Sequence, residues 1–163
     1  MFKVSHKTLV TISGSVWIGM GLFLLQLGVG LLLEAMRAHL ILAADKFPLL
    51  NLLAGFGGSK TAALIIVIFS LIIGFFKGRF VLRKTVVRSI ARIRSFPDPT
   101  MIYHLYSKGN IILILGMMGL GMLMRSIGVA SDVRAFIDIT VGTALIQGGV
   151  LYFRSLFLVT RPV

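Results

Sequence analysis

Residues 9–33 read L-V-T-I-S-G-S-V-W-I-G-M-G-L-F-L-L-Q-L-G-V-G-L-L-L, from Leu9 to Leu33. No charge interrupts them, and Gln26 is the single strongly polar residue. A helix rises about 1.5 Å per residue and a bilayer's hydrocarbon core is roughly 30 Å thick, so this run can cross with some tilt. Lys3 and Lys7 precede it, as in a signal peptide. The run exceeds a signal peptide's apolar stretch of roughly 7–15 residues, and no convincing cleavage site follows it. It is read as a retained signal anchor.

Working outward, three more apolar segments appear: Thr61–Phe76, Ile111–Met124 and Ala135–Phe153. The second extends to Phe80 if Lys77 and Arg79 snorkel, and the third extends through Arg125 to Ala130. Hydrophobic residues make up 57% of the 163 residues and charged ones 13%. Soluble domains carry roughly 25% charge, so lipid is the expected solvent. The expected fold class is all-α: an integral membrane bundle of four transmembrane helices built from two tandem helical hairpins, with a basic amphipathic juxtamembrane helix. The chain reads as a single transmembrane domain over 1–163. Unit one covers 9–84 with an apolar outer insert at 35–59, a basic loop covers 77–108, and unit two covers 110–159.

Lysine and arginine set the orientation. Lys3 and Lys7 lie at one end, Arg154 and Arg161 at the other. The middle loop holds Lys77, Arg79, Arg83, Lys84, Arg88, Arg92, Arg94 and Lys108. The remaining connections hold only Arg37, Lys46, Lys60, Arg125 and Arg134, beside Glu34, Asp45, Asp132 and Asp138. Both termini and the middle loop are therefore expected in the cytoplasm, with the chain in a plasma membrane or a bacterial inner membrane. The net charge of +12 then faces an anionic inner leaflet rather than nucleic acid. Within Lys77–Arg94, Lys84, Arg88 and Arg92 form a basic stripe and Leu82, Val86, Ile90 and Ile93 an apolar one, ended by Phe96-Pro97-Asp98-Pro99. Arg83, Lys84, Arg88 and Arg92 are the expected anionic-lipid contacts.

Small residues recur on the membrane segments. Gly14, Gly21 and Gly28 are seven apart, as are Gly121 and Gly128, and Gly142 and Gly149; Ser70, Gly74 and Gly78 are four apart. In lipid, such faces let helices pack closely. A 100-residue shift superposes Trp17–Val29 on Met117–Val129, matching Gly19, Gly21, Gly28 and Val29 with Gly119, Gly121, Gly128 and Val129. A 75-residue shift places Gly74, Arg79 and Thr85 on Gly149, Arg154 and Thr160. These matches suggest an internal repeat in which the first and third helices approach each other near a pseudo-two-fold axis.

No catalytic, cofactor or metal site is expected. The chain has no cysteine, and His6, His39 and His104 have no metal-like spacing. Gly55-Phe56-Gly57-Gly58-Ser59-Lys60-Thr61 resembles a phosphate loop, but Ser59 stands where that motif requires glycine. Polar residues at membrane depth remain as candidates: Gln26, Arg125, Asp138 and Gln147. An arginine at a helix centre costs about 2.5–3.5 kcal/mol, less near an end. Arg125 and Asp138 flank one short turn and are candidates to pair. The functional expectation is a non-enzymatic structural or accessory subunit, associating with itself or a larger membrane complex through glycine-rich faces. The alternative is an oligomeric small-solute or ion transporter.

The orientation is testable because the chain lacks cysteine. Single cysteines at Ser5 and Ser95 should label from the cytoplasmic side and one at Ser59 from the outside. Outside labelling at Ser95 would overturn it.

Overall fold

The computed structural model describes residues 3–41, 46–95, 100–101, 116 and 119–158. They are helical apart from turns and one two-residue antiparallel pairing, Lys3–Val4 with Thr100–Met101. Helix α1 spans His6–Ile41, α2 Pro48–Ala54 and α3 Gly58–Lys77. A π-helical stretch, Gly78–Leu82, carries α3 without a break into α4, Arg83–Ser95. A short helix, α5, covers 119–126, and α6 runs Ser131–Leu158. Among the described residues, three helical stretches are long and apolar enough to cross a membrane: His6–Ile41, Gly58–Ile93 and Ser131–Phe157. Most of the expected third crossing, Ile111–Met124, lies outside the described residues, with Gly116 and 119–124 described as helical.

Helix α6 is the centre. Its mean hydropathy, 1.4, is below the 2.1 and 2.2 of the other two spans, and it is the most buried of the three. It runs antiparallel to α1 along a seam of small residues that steps by seven on both sides. Gly14 meets Gly149, Gly21 meets Gly142, and Gly28 meets Ala135. A methyl group placed on Gly21 would stand 2.7 Å from the Gly142 carbonyl oxygen, and one on Gly142 2.7 Å from that of Gly21. The same addition at Gly149 would reach the Gly14 carbonyl at 2.9 Å, and at Gly28 that of Ala135 at 3.0 Å. Seven-residue spacing keeps one stripe of a helix facing a partner over several turns, and here the stripe is backbone against backbone.

On its other side α6 runs parallel to α3. A methyl on Gly74 would stand 2.5 Å from the Thr140 carbonyl, and one on Gly78 2.9 Å from that of Ala144. Ser70, one turn earlier, is fully buried, and its hydroxyl donates to the Ile66 carbonyl at 2.7 Å. The four-residue ladder Ser70, Gly74, Gly78 is thus the α3 face turned to α6.

These contacts correct the expected helix pairing. Gly14, Gly21 and Gly28 of α1 meet α6. Gly121 and Gly128, expected as packing glycines, have open space where a side chain would project, as do Gly19 and Gly119. Gly128 serves the backbone instead. Its φ is +75°, its N–H donates to the Arg125 carbonyl, and the Val129 N–H donates to that of Met124. That bonding ends a helix at a glycine in the left-handed region. Gly28, its match in the 100-residue shift, sits in the middle of a helix with positions 135 and 139 against it. The two glycines do different work, so their surroundings give the repeat no support. Part of the superposition, residues 110–115, 117–118 and 159, lies outside the described residues.

Helix α1 also outruns its expected end at Leu33. It has 36 residues, about 54 Å at helical rise, and passes Glu34 and Arg37. Both charges are exposed, while Leu32 and Ala35 are buried with Ala62, Ala63, Ile66 and Ala135. The packing stripe continues past the charges, and so does the helix. Phe47 and Leu50, from the apolar insert, pack against this overhang. Pro48 stands in the first turn of α2, Leu50 is fully buried, and Leu52 and Phe56 point out. The chain then turns into α3 through Gly57 and Gly58, at φ +149° and +85°, where a side chain would be strained.

The seam can be tested with alanine. Gly21→Ala overpacks a backbone contact and should cost about 1–3 kcal/mol. Gly30 faces open space on the same helix, so Gly30→Ala should cost nothing. In mild detergent, Gly21→Ala should lower the unfolding midpoint and Gly30→Ala should not. Equal shifts would contradict the seam.

Candidate anionic-lipid site

The basic helix is amphipathic as expected, but its apolar edge meets protein rather than lipid. Val86, Ile90 and Ile93 are buried in one cluster with Leu9, Val10 and Trp17 of α1 and Leu145 and Tyr152 of α6. The Trp17 and Tyr152 rings lie 5.8 Å apart and tilted. Gly148 admits the Trp17 ring, since a methyl there would stand 2.7 Å from it. The start of α1, the whole of α4 and the end of α6 are therefore tied together at one end of the bundle.

With one edge closed, the cationic face turns outward. Arg79, Phe80, Arg83, Lys84, Val87 and Arg88 line an open pocket of about 540 Å³. Arg79 lies within the π-helical stretch Gly78–Leu82, one turn before Arg83 and on the same face. Of the expected lipid contacts, Arg83, Lys84 and Arg88 line the pocket. Arg92 is exposed and is not part of its lining. Arg79 joins it, four residues before Arg83, a step that helical spacing puts on the same face. The described acids, Glu34, Asp132 and Asp138, lie in the second half of α1 and the first half of α6, toward the other end.

The four polar candidates at membrane depth are not brought together. Gln26 and Arg125 are exposed, Asp138 is buried and Gln147 is half-buried. Asp138 and Gln147 share α6 but stand nine residues apart, about 13 Å along its axis. Arg125 makes no ion pair with Asp138 among the described residues; the cation one turn from Asp138 is Arg134, on the same helix. The hydroxyls of Thr140 and Thr143 donate to their own helix, at the Phe136 and Ile139 carbonyls. Among the described residues no three His, Cys, Asp or Glu side chains are grouped to hold a metal ion.

The structure adds one polar residue that charge patterning treats only as a loop acid. Asp132 is fully buried at the start of α6. One carboxylate oxygen accepts the N–H groups of Leu49 at 2.7 Å and Leu50 at 3.0 Å, and the other accepts that of Val133 at 2.8 Å. Phe47, at the N-cap position of α2, has no side-chain acceptor to offer. Asp132 supplies it from 82 and 83 residues away, and a negative charge suits a helix N-terminus. The sequence signal is faint: an apolar residue at the cap position before Pro48, and an acid beside a turn.

Asp132→Ala would remove the acceptor of three N–H groups, two of them in α2, at about 1–3 kcal/mol for each buried donor left unpaired. Amide exchange should then speed up across residues 47–57 while the first half of α1 stays protected. Unchanged exchange in α2 would show that the carboxylate does not hold it.

No protein-family model, curated protein or solved structure matches the chain.

Proposed function

We propose that the protein is a non-enzymatic integral membrane component, a small structural or accessory subunit whose membrane helices hold a basic helix at the anionic inner surface of the bilayer. The observation that carries this reading is the closed apolar edge of α4. Because Val86, Ile90 and Ile93 are buried in the bundle, the cationic face is a fixed part of the fold rather than a loose tail.

Charge placement supports the orientation. Lys7 at the start of α1, the basic residues of α4 and Arg154 near the end of α6 fall at one end, while Glu34 and Asp132 fall at the other. The positive-inside rule makes the first end cytoplasmic. It also supports four crossings: α4 ends on the inner side and α6 starts on the outer side. The chain has to return between them, and Ile111–Ala130 is the apolar run available. The seven- and four-residue glycine stripes of α1, α3 and α6 are occupied within the chain. A second copy or a partner subunit would therefore use the apolar outer flanks of α1 and α3, where Phe23, Leu27, Leu64 and Ile68 are exposed.

A transporter is the second reading, favoured by one observation: the least apolar span, α6, carries Asp138 and Gln147 and lies between the other two. Purification in mild detergent from the source membrane separates the readings. An accessory subunit should bring a partner in fixed ratio and give no solute flux in vesicles. Flux by the chain alone would overturn the proposal.

A further inference from the structure

We propose that Arg79, Arg83, Lys84 and Arg88, with Phe80 and Val87, form a discrete site for one phosphate-bearing lipid, its acyl chains lying along the exposed face of α3. This rests on the reading of α4 as held at the inner membrane surface, and adds to it a defined ligand, stoichiometry and set of residues.

Three observations meet here. The pocket combines four cations with two exposed apolar side chains, Phe80 and Val87. The charged walls suit a phosphate, and the apolar ones suit the region where a headgroup meets its chains. Next, an apolar track runs into the pocket from the membrane side. Phe69, Ile72, Phe76 and Phe80 are all exposed and follow at three- and four-residue steps, so they share one helix face. The Phe76 and Phe80 rings stack nearly parallel, 4° apart in plane with centroids at 6.3 Å, and carry the track across the end of α3. Surface and site together have the shape of an amphiphile, apolar below and cationic above. Third, the cations are crowded on one side of consecutive turns. Arg79 and Arg83, and Lys84 and Arg88, are like charges four residues apart, an arrangement that repels unless an anion sits between them. The pocket lining includes no carboxylate. A phosphate would turn that repulsion into shared attraction, and Arg offers it paired N–H donors.

Phosphate chemistry has two sources, a lipid headgroup or a soluble phosphate; the track selects the lipid. The test uses the full chain, delipidated in neutral detergent, with native mass spectrometry as the readout. Phosphatidic acid, phosphatidylcholine and inorganic phosphate are added separately, and inorganic phosphate is then added in competition. One phosphatidic acid should be retained per chain in preference to phosphatidylcholine, and inorganic phosphate should displace it poorly. Arg79→Gln and Arg83→Gln should each weaken it by roughly five-fold, as expected for one cation at an anionic lipid. Arg154→Gln, an equal charge loss at the same end of the bundle, should leave it unchanged, and Arg79→Lys should retain most of it. Equal losses in Arg79→Gln and Arg154→Gln would overturn the discrete site while leaving the inner-surface reading standing. Displacement by inorganic phosphate at comparable concentration would make this a soluble-anion site and overturn the lipid assignment. No preference for phosphatidic acid would remove both the site and the inner-surface reading.

Discussion

Backbone-to-backbone contact between α6 and α1 is the constraint on which the other features depend. Lipid tails are as apolar as leucine, so burial of side chains does not by itself bring membrane helices together. Dispersion does, and it falls away steeply with distance. Gly21 and Gly142 remove the side chains from the point of closest approach, and the same happens a heptad away on each side. On the neighbouring face Gly74 and Gly78 bring α3 against α6 in the same way. A helix approached this closely on two sides is more buried than either neighbour, which allows α6 to be the least apolar of the three spans.

The two ends of the bundle follow from that centre. At one end α1 overhangs the core, and the short α2 closes over it through Leu50 and the Asp132 carboxylate. The cap is a long-range one, so α2 depends on the position of α6 rather than on its own sequence. At the other end α4 continues α3, and its apolar edge meets α1 and α6 side by side. The basic face is therefore presented by three helices at once, although all its residues belong to one continuous segment.

Much of this was legible in the sequence. Uninterrupted apolar length marked α1, α3 and α6, the seven- and four-residue steps of Gly and Ser marked the close faces, and the basic and apolar stripes marked α4. Periodicity tells which face of a helix is small, but not which other helix it meets. For that reason Gly21 and Gly28, matched with Gly121 and Gly128 by the 100-residue shift, are expected beside the third segment and lie against α6. Composition does not separate a packing glycine from a terminating one, and Gly128 was misread on that account. The end of α1 was missed because charge marks where a chain leaves lipid, not where its hydrogen bonding stops. Arg79 was legible as well, four residues before Arg83 on one helical face, but reads from the sequence as a snorkelling end of the second apolar segment; Asp132 was not, because its partners in α2 lie more than eighty residues away.

The register of α1 on α6 is the point at which this account is most exposed. A methyl on Gly142 would stand 3.4 Å from the Leu24 Cβ, near the separation that a disulfide spans. The chain has no cysteine of its own, so the double variant Leu24→Cys, Gly142→Cys can be oxidised in the membrane and followed by mobility after a cut between α1 and α6. The account predicts rapid cross-linking within one chain, with none when the second cysteine is moved one heptad, to Gly149. Cross-linking at Gly149 instead, or only between chains, would contradict the antiparallel seam.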